Sequence, residues 1–137
     1  MSRQFVVQLE NRPGELAHLA RALGTRGIDI RHIASAGAGP LGCAFMTTSD
    51  DAAARDVLRG LGHPYMEGDP LVVDVEDRPG GLADRLEQLV AADVNVLGTM
   101  IVGRRQGTAQ FVFCVDDAAR ARAALGETAL HHAGVVG

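Results

Sequence analysis

The sequence predicts an α+β protein in which one β-α-β-β-α-β unit is written twice, each unit an antiparallel sheet with helices on one face. Three observations predict it. "ENRPGEL" at 10–16 returns as "EDRPGGL" at 76–82, 66 residues later. A short apolar, β-branched run precedes each copy, and a leucine-spaced helical stretch follows it. The 137 residues hold two units of that length and little more.

The elements follow in order. "FVVQLE" and "LVVDVE" read as first strands. After Pro-Gly, Leu16, Leu19, Ala20 and Leu23 fall at i, i+3, i+4 and i+7, and Leu82, Leu86, Leu89 and Val90 form a similar face. Both helices stop near "TRGIDI" and "AADVNV", where second strands begin, and "GCAFMTT" and "TAQFVFCV" read as third strands. "DDAAARDVLRGLG" and "DDAARARAALG" read as second helices, capped by Asp50 and Asp116. "HPYME" and "TALHHAG" are weaker candidates for fourth strands. The copies align without a gap for most of the chain, so that Gly37 meets Gly103, Phe45 meets Phe111 and Asp50 meets Asp116. The expected domains are residues 1–69 and 70–137, each a small ferredoxin-like unit. A unit of this size buries only ~60% of its chain surface, and fusing two copies relieves that weakness.

Composition narrows the function. With 47% hydrophobic and 22% charged residues the chain is a core-forming globular protein. A net charge of −4 argues against direct nucleic-acid binding. All thirteen basic residues are arginine, so P-loop, Schiff-base and general-base lysines are excluded together. Cys43 and Cys114 lie in strand-like apolar runs, at no metal spacing, and read as buried free thiols in a reducing compartment. "MSRQFVVQLE" has no signal-peptide pattern, and no apolar run approaches the ~18 residues of a membrane span. The expected location is cytoplasmic, with no cofactor and no metal.

The repeated turn invites two readings. A helix N-terminus carries unpaired N–H groups and partial positive charge, so it attracts a carboxylate. Pro13 presets the backbone, Gly14 removes a Cβ, and the Asn11 amide can bond a carboxylate or an ammonium. The alternative is plain helix capping, with Asn11 or Asp77 accepting a backbone N–H.

"LENRPGELAHLARALGTRGIDI" and "VEDRPGGLADRLEQLVAADVNV" resemble the opening of an ACT domain, in both copies. That resemblance implies a regulatory module that binds a small ligand, usually an amino acid, where two domains pair. It implies ligand contacts from the turn of one copy (Asn11, Arg12, Pro13 and Gly14, or Asp77 and Gly80) and from the second strand of the other (Val94 and Asn95, or Asp29). The Asn11/Asn95 combination is expected to be the better site, because Asp77 and Asp29 would place two acids together. In members of the family that bind serine, a histidine stands two residues before the asparagine. Leu9 and Val75 occupy that position here, so serine specificity does not carry over.

Other signals are weaker than they look. "GAGPLG" at 37–42 matches a dinucleotide fingerprint, but a strand follows where a helix is required, so a hairpin loop is expected. His131 and His132 are adjacent and would point to opposite faces of a strand. Ser35 lacks a nucleophile elbow. The expectation is a stand-alone, non-enzymatic regulator acting through a protein partner, an enzyme or another regulator, and assembling as a homodimer. Two alternatives stand beside it: an assembly subunit with vestigial ligand sites, and a small enzyme on a ferredoxin-like scaffold.

Overall fold

A computed structural model describes residues 3–126 and residue 130 of the chain. The elements are β1 (Gln4–Glu10), α1 (Glu15–Thr25), β2 (Ile30–Ala38), β3 (Leu41–Thr48), α2 (Asp51–Leu61), β4 (Tyr65–Glu76), α3 (Gly81–Ala91), β5 (Val96–Arg105), β6 (Thr108–Val115) and α4 (Ala118–Leu125). Two compact units result, Ser2–Glu67 and Gly68–Gly137. The fold is the α+β, twofold β-α-β-β-α-β arrangement that the sequence predicts.

In the first unit β3 lies between β2 and β1, antiparallel to both. Phe5, Val7 and Leu9 of β1 and Ala44 and Met46 of β3 alternate inward. They meet Leu19 and Leu23 of α1 and Ala54, Val57 and Leu58 of α2. In the second unit β6 lies between β4 and β5. There Leu71, Val73, Val75, Phe113 and Val115 meet Leu89 of α3 and Ala121 and Leu125 of α4.

"HPYME" is the start of β4: Tyr65–Glu67 belong to the first unit, and the Gln8 N–H donates to the Pro64 carbonyl at 2.9 Å. Glu67 accepts from Arg55 Nε at 2.9 and 3.0 Å and from Arg3 Nε at 3.3 Å, joining the start of β4 to α2 and to the residue before β1. "TALHHAG" lies outside the described residues apart from Leu130, which bridges to Val73.

Four expectations need correction. Leu16 is 39% exposed and Ala20 is exposed, so α1 buries Leu19 and Leu23 with Ala22 beside them. Val90 is 73% exposed because its neighbour Leu89, about 100° away around the helix, takes the core position. Cys114 is buried but Cys43 is exposed, since alternation along β3 turns Cys43 away from the helices while Ala44 faces them. The gapless alignment also fails, from within β5 onward. That strand carries a second register shift, between Ile101 and Gly103, which β2 lacks. One extra residue is absorbed there. Gly37 therefore corresponds to Arg104, Phe45 to Val112 and Asp50 to Asp117. The caps obey the shift: Asp50 accepts from the Ala53 N–H, and Asp117, not Asp116, accepts from the Arg120 N–H, each at 3.0 Å.

Candidate ligand site

β1 ends at Glu10, and the chain turns through Asn11–Gly14 into α1. Gly14 is the N-cap at φ +92°, a left-handed conformation that disfavours a side chain, and Gly80 holds the same place at φ +85°. An added Cβ at Gly14 would meet nothing within 4 Å, so the dihedral rather than crowding requires glycine. The N-caps are glycines, and among the described residues the side chains of Asn11 and Asp77 engage Gly39 and Arg104 instead of the helix N–H groups, which removes their capping reading.

Asn11 instead hooks the turn onto the β2–β3 hairpin. Its backbone N–H donates to the Pro40 carbonyl and its Nδ2 to the Gly39 carbonyl, both at 3.0 Å. The amide lies flat against Gly37, where a Cβ would stand 2.6 Å from Asn11 Oδ1. Gly37 is thus required by a close approach that the sequence does not announce. Gly37 and Gly39 contribute although "GAGPLG" reads in the sequence only as a hairpin loop; the short side chains flanking that turn are the one signal it carries.

Arg12 is occupied by the protein itself. Its guanidinium binds Glu15 at 2.6 Å and Glu10 at 2.8 Å, and the Glu15 hydrogen bond, then the two carboxylate charges, raise its pKa further. Arg78 is held in the same way by Glu76 and Asp84. Among the described residues, the N–H groups of Leu16 and Ala17 in the first turn of α1 have no backbone acceptor. A cavity of about 260 Å³ is lined by Leu16 of that turn and by Leu9, Glu10, Asn11, Arg12, Glu15, Ser35 and Gly37 among others, the two carboxylates being those that hold Arg12. Leu9 is mostly a core residue, 6% exposed, so it shapes the cavity floor more than it offers contact.

Within the first unit, Asn11, Arg12, Pro13 and Gly14 form one turn, and Asp29 is elsewhere. The β2–β3 ladder runs from Ile30 opposite Thr48 to Ala38 opposite Leu41, which puts Asp29 and Asn11 at its opposite ends. Asp29 is pinned there, its N–H donating to Ser49 Oγ at 2.8 Å. In the second unit Asn95 is fixed alike, its N–H donating to Asp116 Oδ1 at 3.0 Å. Val94 is a core residue at 6% exposure. The Asp77 N–H donates to the Gly107 carbonyl at 2.9 Å, as Asn11 does to Pro40, but its side chain differs: Oδ2 stands 3.3 Å from Arg104 Nε. The sequence-based picture of two unopposed acids at Asp77 and Asp29 is incomplete, because Asp77 has a cationic partner.

A second feature was not anticipated. The helix-free side of the first unit's sheet carries an apolar groove of about 520 Å³, lined by Val6, Ala36, Ala38, Leu41, Cys43 and Met66 among others. Among the described residues, no group of three or more His, Cys, Asp or Glu side chains is placed to hold a metal ion. Among them, too, no helix is long and apolar enough to cross a membrane.

No family model matches the sequence, and no curated protein sequence matches it. Solved structures do. A protein from Bacteroides thetaiotaomicron superposes with a TM-score of 0.68 at 21% identity, over 95% of this chain and 91% of that one. The regulatory subunit of aspartate kinase from Thermus flavus gives 0.64 at 21% identity, over 91% and 89%. The ligand-free regulatory subunit of aspartate kinase from Thermus thermophilus gives 0.58 at 20% identity, over 90% and 88%. These kinase regulatory subunits are ACT-domain proteins, and the chain carries the tandem ACT fold.

Proposed function

We propose that the chain is a regulatory module that binds an amino acid at the Asn11–Gly14 turn and acts on a partner protein instead of catalysing a reaction. One observation carries this reading: the Asn11 amide is locked against Gly37 and Gly39 at the rim of a cavity that also meets the open first turn of α1. The ligand carboxylate takes the Leu16 N–H at the start of α1, and Asn11 Oδ1 accepts from the ammonium. At about 260 Å³ the cavity is smaller than the ~300–1,000 Å³ typical of drug-sized ligands and suits a free amino acid. The kinase regulatory subunits of similar fold support a regulatory rather than catalytic role. Asn95 and Val94, and the second set of Asp77, Gly80 and Asp29, enter through the family resemblance alone. A homodimer acting on a partner enzyme or regulator completes the proposal.

The test is a thermal-unfolding screen of the twenty amino acids. A ligand at ~100 times its dissociation constant stabilises by ~2.7 kcal/mol. The expected result is one stabilising amino acid whose effect is lost in Asn11→Ala and kept in Asp77→Ala. Silence from all twenty at millimolar concentration overturns the sensor. The apolar groove, with Leu41 45% and Met66 56% exposed, would then favour the assembly subunit.

A further inference from the structure

Strand pairing aligns the two turns residue by residue. Leu9 and Gly37 both oppose Gly42, and Val75 and Arg104 both oppose Ala109. Arg104 therefore stands where the first unit has Gly37, and Asp77 where it has Asn11. In the first unit this pair of positions is an amide lying on a bare α-carbon, with open space in front. In the second the same positions carry a guanidinium and a carboxylate 3.3 Å apart. Ile101, opposite Phe111, replaces Ser35, opposite Ala44, and adds bulk on the same side.

We infer that the Asp77–Arg104 ion pair is an internal occupant of the second turn, closing it to the amino-acid carboxylate that the first turn accepts, so that the chain is a one-site sensor; this rests on the first turn being a ligand site. The Asp77 carboxylate is held by Arg104 and not by the N–H groups of α3, so it opposes a free carboxylate from beside the turn rather than by taking the same donors. A ligand carboxylate arriving at the Gly80 helix start must displace Asp77 from Arg104 or share the site with its negative charge. Asp77 is covalently attached, so its effective concentration exceeds that of a free metabolite. The pair is solvent-exposed and is a weak lock by charge alone. The Arg104 side chain, at the register position where the first unit has the bare α-carbon of Gly37, supplies the steric part.

The experiment follows backbone amides of the full chain by ¹⁵N NMR during titration with acetate and, separately, with a mixture of the twenty amino acids. In the unaltered protein the Gly14 and Leu16 amides are expected to shift to saturation while Gly80 and Leu82 stay still. In the double variant Asp77→Asn/Arg104→Gly, Gly80 and Leu82 are expected to shift as well, and the calorimetric stoichiometry to rise from one to two per chain. The reciprocal variant Asn11→Asp/Gly37→Arg is expected to silence Gly14 and Leu16. Equal response of both turns in the unaltered protein overturns the closure and leaves the proposed function standing. An unresponsive Gly14 overturns the proposed function; closure is then decided by the double variant alone. There a response gained at Gly80 upholds it, and none overturns it.

Discussion

The two turns share a backbone and differ in what fills it. Both end a strand at Glu, turn through Arg-Pro-Gly, hold glycine at positive φ, and bond back to the following hairpin through the residue after the strand. In both, the turn arginine is neutralised by two protein carboxylates. The first then presents an amide and a cavity, and the second an ion pair. Duplication preserves the scaffold because the backbone hydrogen bonds and the core depend on it. The side chains facing solvent at the turn are under no such constraint, so they are where the copies part.

The helix starts differ too, and that yields the largest expected effect. At Gly81 a Cβ would lie 2.1 Å from the Glu76 carbonyl oxygen, so α3 begins pressed against the end of β4. The first unit has Glu15 at the same place. Gly81→Ala is expected to cost about 2–3 kcal/mol in denaturant unfolding. Glu15→Ala, which loses an ion pair to the exposed Arg12, is expected to cost under about 1 kcal/mol. Equal costs would mean that the two helices start alike.

A smaller effect tests what the turns share. Gly14→Ala and Gly80→Ala both force a side chain into the left-handed region, and each is expected to cost about 1–2 kcal/mol in thermal unfolding. A cost confined to one turn would break their equivalence.

The smallest concerns Glu67, which belongs to the first unit. The Arg55 hydrogen bond, with the charges of Arg55 and Arg3, holds its carboxyl below the usual range in spite of partial burial. Its contribution is therefore present above the ordinary carboxylate pKa of ~4.3 and is lost as pH falls through the lowered folded value. Glu67→Gln is expected to cost about 1 kcal/mol at neutral pH. Unfolding curves for the two proteins are expected to converge under acid conditions, and a difference that persists in acid would assign the loss to packing.

The repeat, the strand and helix types, and the place of both turns were legible in the sequence, because apolar periodicity and Pro-Gly punctuation are local and report directly on backbone geometry. The α2 cap at Asp50 was legible for the same reason, as an acid one residue before a helical pattern. The repeat points to Asp116 for the α4 cap where Asp117 provides it, since a β-bulge at Ile101–Gly103 has no motif and shows only as a change of strand register. The core face of α1 was read one step off, because periodicity gives a stripe and only the sheet beneath decides where it is centred.

The candidate site divides along the same line. The sequence by itself determined that Asn11 and Asp77 occupy matching turns before helix N-termini. Tertiary structure decided that Asn11 rests on Gly37 and Asp77 on Arg104, 26 and 27 residues further along the chain. Pairing of β1 and β2 with β3 between them, and of β4 and β5 with β6 between them, brings those residues together, and no pattern within a turn of seven residues encodes what the next strand but one will place against it.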